Sequence, residues 1–228
     1  LKLAKPRIDI GLATNNLEPM LAFWQGAAGA VFDHVLPIRP GHDQHRHDVN
    51  GSVLKVNHPS APLPDAPPSG YRELLIARTG VDTLQSLVDP DGNRVGLVPM
   101  GSRGIGQIGV VLAVRDLDAH RRFYGDTLGL SEEAADEGVA FRAGESLLIL
   151  RESSDLVVDP PLQGRGWRYI TFQVFKVDEE HARVLAAGGV EGMAPVTLGK
   201  TARISMVRDP DGNWIELSQR ASIVGSLD

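Results

Sequence analysis

Two stretches of the chain carry side chains able to do chemistry. "DPDGNWIEL" (209–217) holds the carboxylate of Glu216, whereas its near copy "DPDGNRVGL" (89–97) has Gly96 at the matching place. "GHDQHRHDVNGSVLKVNH" gathers His42, His45, His47 and His58. A carboxylate joined by imidazoles makes an oxygen- and nitrogen-donor shell that suits one divalent ion such as Fe, Mn, Ni or Zn. Without a metal the same groups can move a proton, the imidazole serving as general base. His45 and His47 are two apart, so on a strand they share a face. The Asn50-Gly51 turn decides which face. A two-residue turn pairs Val49 with Ser52, Arg46 with Lys55 and His47 with Leu54, and turns both histidines away from the side of Lys55. A one-residue bulge turns His47 toward it.

Other signals lead elsewhere. "GIGQIG" (104–109) spells a dinucleotide fingerprint, but it follows a linker and opens a strand, so its amides have no helix start on which to hold a pyrophosphate. No Gly-rich loop ends in Lys-Ser or Lys-Thr, and no serine has the context of a nucleophile elbow. Arg72 and Arg168 occupy matching positions in the two halves and suit a rim salt bridge or a carboxylate clamp. Trp24, Trp167 and Trp214 read as core residues or as walls of a ligand site; Trp167, beside Tyr169, is able to stack on a flat ligand.

Composition bounds the partners. The 228 residues are 42% hydrophobic and 23% charged, ordinary for a globular chain, and the net charge of −6 argues against nucleic acid and anionic membrane. The absence of cysteine excludes disulfides, thiolate-held metals and a thiol nucleophile. No apolar run approaches the ~20 residues of a membrane span, and "LKLAKPRID" has no signal-peptide core, so the expected location is the cytoplasm.

The elements that must position these residues are written in repeats. "GLATNNLEPMLAFWQGAAGAV" (11–31) matches "VVLAVRDLDAHRRFYGDTLGL" (111–131), each reading as strand, cap, helix and glycine stop. Asn16 and Asp116 stand at the cap positions, Pro19 falls where a missing N–H costs little, and Gly29 and Gly129 end the helices. Short strands follow, as hairpins about Asn50-Gly51 and Gly144-Glu145. A further unit opens at "WRYITFQV" (167–174), with a helix capped at Asp178 and ended by Gly188-Gly189. Its counterpart after Glu73 is too short for a helix and reads as strands and turns. "PSAPLPDAPPSG" (59–70) is a Pro-rich surface connection and "GSRG" (101–104) a linker, dividing the chain into 1–100 and 104–228.

With these motifs the chain resembles the vicinal oxygen chelate superfamily: glyoxalase I, extradiol dioxygenases, bleomycin-resistance proteins and related epimerases. "VVLAVRDLDAHRRFYGDTLGL", "YITFQVFKVDEEHARVLAAGGV" and "MVRDPDGNWIEL" carry the resemblance over most of the C-terminal half. It implies an α+β fold of paired βαβββ modules whose curled, cup-shaped mixed sheets hold a divalent metal that chelates two adjacent substrate oxygens. The second module of the first domain is shortened. The family's ligand positions fall on Gly109, Ile149, Tyr169 and Glu216 in the second half, and on Asp9, Lys55, Glu73 and Gly96 in the first. Few of these can bind a metal, and Lys55 puts an ammonium where a ligand is expected. Each half can pair its own modules. Alternatively, the first module can pair with the last, gathering Asp9, Lys55, Tyr169 and Glu216.

The resemblance thus implies two functions. One is a metal-assisted lyase, isomerase or dioxygenase. Glu216 and His45 or His47 would hold the metal, Tyr169 or Asp9 would assist proton transfer, and Lys55, Glu73, Trp167, Trp214 and Arg168 would contact a small-molecule substrate. The other is a metal-free protein that sequesters a small ligand. A homodimer is expected with either.

Overall fold

The structure is a computed structural model and describes residues 1–136 and 138–227. The first module runs through strand β1 (Leu3–Ala13), helix α1 (Leu17–Gln25) and strands β2 (Val31–Arg39), β3 (His42–Val49) and β4 (Ser52–Pro59). The shortened second module keeps only β5 (Tyr71–Arg78), β6 (Gln85–Val88) and β7 (Arg94–Pro99). The third comprises β8 (Ile108–Val114), α2 (Leu117–Arg121) continued by a π-helical turn, β9 (Ser131–Ala134), β10 (Val139–Ala143) and β11 (Ser146–Glu152). The fourth comprises β12 (Gly166–Val174), α3 (Val177–Ala186), β13 (Val190–Leu198), β14 (Ala202–Arg208) and β15 (Trp214–Arg220).

Cap chemistry is uneven. Asp116 accepts the Ala119 N–H at 2.9 Å, but Asn16 makes no side-chain bond to its helix. Asp178 lies inside the first turn of α3, after the N-cap residue Lys176, and its carboxylate turns to Arg203 at 2.7 Å.

Among the described residues the strands form an eight-stranded sheet, β13-β14-β15-β12-β1-β4-β3-β2, and a seven-stranded sheet, β6-β7-β5-β8-β11-β10-β9. The first joins modules one and four through antiparallel β1 and β12, and the second joins modules two and three through β5 and β8. Each sheet therefore draws strands from both halves of the chain. Strand alternation puts Ile8, Ile10 and Leu12 on one face of β1 and Asp9 and Gly11 on the other. The apolar face shares one core with Leu74 and Ile76 of β5, Val110 and Leu112 of β8, and Trp24 of α1. The sheets thus pack back to back, with their hollows facing apart.

The repeated DPDGN turns fasten this arrangement. Asp89 and Asp209 each accept two backbone N–H groups of their own turn, and each is held by the amide of its own Asn93 or Asn213. The asparagines then reach across the molecule. Asn213 Oδ1 accepts the Gly70 N–H at 2.6 Å, and Asn93 Oδ1 accepts the Trp167 N–H at 3.3 Å. The turn is written twice because each copy pins the start of a strand in the other half. Asp209 also accepts the Tyr124 hydroxyl at 3.2 Å. Asp209→Asn turns an amide donor against these donors and is expected to cost about 2–3 kcal/mol in urea unfolding. Asp89→Asn, with no tyrosine contact, costs less.

Candidate functional site

A cavity of about 760 Å³ opens in the hollow of the eight-stranded sheet. Its polar floor comes from neighbouring strands: Gln44 and Arg46 of β3, Lys55 and Asn57 of β4, Tyr169 and Gln173 of β12, and Glu216 of β15. Ile204 and Met206 of β14 and the Pro62–Leu63–Pro64 stretch wall it. The Pro-rich connection, expected to be merely a surface link, is part of the site.

Lys55 lies at the centre. Its Nζ donates to Glu216 Oε1 at 2.8 Å and to Thr171 Oγ1 at 2.7 Å, and sits 5.2 Å from the centre of the Tyr169 ring. Burial holds this ammonium below its ordinary value; Glu216 and Asp9 oppose that shift and Arg46 adds to it. The Tyr169 hydroxyl accepts from Asn57 at 3.2 Å and Gln44 at 3.4 Å. Burial, then the Glu216 charge, raises its pKa and keeps the phenol protonated. Its ring packs on β1 at Gly11, where an added Cβ would come within 2.3 Å of ring carbons. Asp9 is beside this group but fully occupied: Lys5 at 2.7 Å, the Val53 N–H at 2.8 Å and Gln173 at 3.0 Å.

The structure therefore gathers Lys55, Tyr169 and Glu216 on one hollow, with Asp9 fully buried behind them. Of the other expected residues only Arg168 reaches the cavity. His45 and His47 lie on the opposite face of β3, because the Asn50-Gly51 turn sets Arg46 opposite Lys55 and His47 opposite Leu54. His47 is buried against Gln25 at 3.1 Å and edge-on to Phe32. Glu73 belongs to the other sheet, 3.6 Å from Arg94. Trp167 packs edge-on against Trp24 in the core, and Trp214 lies under Arg208 with its Nε1 donating to the Pro160 carbonyl. Arg168 borders the cavity, but its guanidinium is spent on the carbonyls of Pro67, Pro161 and Arg165. Burial lowers its pKa to about 10.

Sequence reasoning missed Arg46, Arg220, Gln44 and Asn57 as lining residues. The signal for Arg46 was present: the favoured two-residue turn that excludes His45 and His47 from the hollow admits its even-numbered neighbours.

The second hollow is closed. Leu75, Ala77, Val98, Ile105, Val111, Leu147 and Ile149 fill it with an apolar cluster, leaving a cavity of about 100 Å³. Gly109 faces Ile105 there. Gly96, the counterpart of Glu216, abuts Leu75 and Leu84.

The donor set does not fit the divalent metal that the resemblance implies. A metal needs several electron-pair donors converging on one point. Here Glu216 already faces an ammonium, and the oxygens of Asp9 are taken. Among the described residues no group of three or more His, Cys, Asp or Glu is placed to hold a metal ion. No helix among them is long and apolar enough to cross a membrane.

A model of the Glyoxalase/Bleomycin resistance protein/Dioxygenase superfamily matches residues 104–217. Glyoxalase I from Zea mays shares the fold at a TM-score of 0.72 and 14% identity, over 96% of this chain and 95% of that one. A putative dioxygenase from Bacillus subtilis subsp. subtilis str. 168 does so at 0.69 and 13%, over 96% and 85%. At such identity these likenesses concern the fold alone. No curated protein matches the chain.

Proposed function

Since the chain belongs to the glyoxalase/bleomycin resistance protein/dioxygenase superfamily, we propose that it is a small-molecule enzyme of isomerase or lyase type that works through Lys55 and Glu216 rather than through a metal. The observation that carries this reading is the Lys55–Glu216 pair at 2.8 Å on the floor of the large hollow. The substrate presents two adjacent oxygens, one of them a carbonyl. The Lys55 ammonium donates to that carbonyl oxygen and stabilises the negative charge that develops on it, the service a Lewis acid would otherwise perform. The Glu216 carboxylate accepts the proton from the adjacent carbon and returns it after rearrangement. Tyr169, held protonated, donates to the second oxygen. Asp9, saturated by Lys5, Val53 and Gln173, sets the field around Lys55 without touching substrate.

Deuterium exchange tests this. With hydroxyacetone and dihydroxyacetone as probes in D₂O, the chelator-treated protein is expected to exchange the protons next to the carbonyl faster than buffer does. Glu216→Gln is expected to lower that rate by about 10²-fold or more. Exchange that requires added metal, or that Glu216→Gln leaves unchanged, would reject the proposal.

A metal-free binding protein is the second reading. It is favoured by the closed Lys55–Glu216 contact, which leaves the carboxylate paired before any ligand arrives. A homodimer belongs to either reading, supported by the exposed Val31 and Val35 on edge strand β2.

A further inference from the structure

The charges in the hollow do not balance. Lys5 neutralises Asp9 at 2.7 Å and Lys55 neutralises Glu216 at 2.8 Å. Among the described residues four guanidiniums line the cavity; Arg39 is exposed to solvent and Arg168 is held by backbone carbonyls, which leaves Arg46 and Arg220. Arg46 is only 4% exposed; its Nη1 donates to the neutral Gln44 Oε1 at 2.7 Å, and its Nε is buried with no partner. Arg220, the last residue of β15, lines the same cavity, and among the described residues no carboxylate comes within ion-pair distance of it. Burial, then the like charge of Arg46, holds the Arg220 guanidinium below its ordinary range; Glu216, Asp9 and Asp33 oppose that shift. Asp33, another acid that Arg220 senses, is exposed and lies against His34 at 2.9 Å.

A buried and a half-buried guanidinium whose nearest carboxylates, Asp9 and Glu216, are already paired to lysines are unfavourable together unless a further anion offsets them. A guanidinium presents a planar fork of donors that matches an oxyanion. Away from its polar floor the cavity has apolar walls, formed by Leu36, Ile38, Val196, Leu198, Ile204 and Met206. Ile38, Val196 and Leu198 are each about two-fifths exposed at its rim. A volume of about 760 Å³ takes a ligand with a substantial body as well as a head group.

We propose that the ligand of this hollow is an amphipathic organic anion, its carboxylate or other oxyanion held between Arg46 and Arg220 and its apolar body laid along β2, β13 and β14. This rests on the reading that the hollow is the ligand site, and it adds the ligand's charge and shape. The net charge of −6 on the whole chain makes the local excess of cations a feature of this site and not of the surface at large.

A matched pair of probes tests it: 8-anilinonaphthalene-1-sulfonate and N-phenyl-1-naphthylamine, which lacks the sulfonate. Each is titrated by fluorescence into the full chain and into Arg46→Gln, Arg220→Gln and the cavity-filling Ile204→Trp. The expected result is that each arginine substitution weakens the sulfonate probe about tenfold or more and leaves the neutral probe unchanged, while Ile204→Trp weakens both. Should an arginine variant fold poorly, the wild-type protein still decides: added salt must weaken the sulfonate probe and spare the neutral one. If both probes bind in the hollow but neither arginine matters, the anion proposal is overturned while the ligand-site reading stands. If neither probe binds, or Ile204→Trp affects neither, the ligand-site reading falls and the proposal with it.

Discussion

Glu216→Gln is expected to destabilise the protein by about 3–5 kcal/mol at neutral pH, the cost of leaving a buried charge without its partner. The side chains of Lys55 and Glu216 are only 4% and 12% exposed, so little water is available to replace the lost carboxylate. Without the Glu216 charge, burial and Arg46 are opposed by Asp9 alone, and the Lys55 pKa falls further. The pH dependence then has a definite sign. Between a lowered folded-state value and the ordinary 10.5 the unfolded chain binds the extra proton, so stability rises with pH across that window. The deficit of Glu216→Gln should therefore shrink as the solution is made alkaline. The double variant Lys55→Met/Glu216→Gln removes the buried cation as well and should recover much of the loss, without the alkaline gain. Urea unfolding of the three proteins across pH checks this. A pH-independent deficit, or one below about 1 kcal/mol as for a surface pair, would mean that the pair is open to solvent.

Gly11→Ala should cost about 1–3 kcal/mol, the usual penalty of overpacking a filled site. A Cβ there lies 2.3 Å from Tyr169 ring carbons and 2.8 Å from its hydroxyl oxygen, so the ring must leave its place. That ring is held by Asn57 and Gln44 and covers Lys55, so its displacement also reshapes the floor of the hollow. The closest clash is with ring carbons that phenylalanine also has. Gly11→Ala should remain as costly in a Tyr169→Phe background and become nearly free in Tyr169→Ala. Equal cost in all three backgrounds would place the strain in β1 itself.

Much of the architecture was legible in the residues. Strand and helix identities followed from hydrophobic period and glycine stops, and the shortened second module followed from its length alone. Asn50-Gly51 encoded the register that turns His45 and His47 away from the hollow. The occurrence of Lys55 at a ligand position already spoke against a metal. Of the two readings open for the tryptophans, Trp167 takes the core one, next to the register shift between β1 and β12, while Trp214 lies against Arg208.

The chain by itself determined four modules, the turn chemistry that joins their strands, and which side chains each strand offers to a concave face. Such properties depend on neighbours a few residues apart, where period and turn type act. Only the tertiary structure decided which modules close a hollow together. Lys55 and Glu216 stand 161 positions apart, and what joins them is the antiparallel seam of β1 and β12, braced by Asn93 on Trp167 and Asn213 on Gly70. Every module presents a similar apolar edge strand, so local sequence does not discriminate among the pairings. The choice rests on side-chain fit and hydrogen bonds between distant segments, and the same fit leaves one hollow polar and open while Ile105 and its neighbours seal the other.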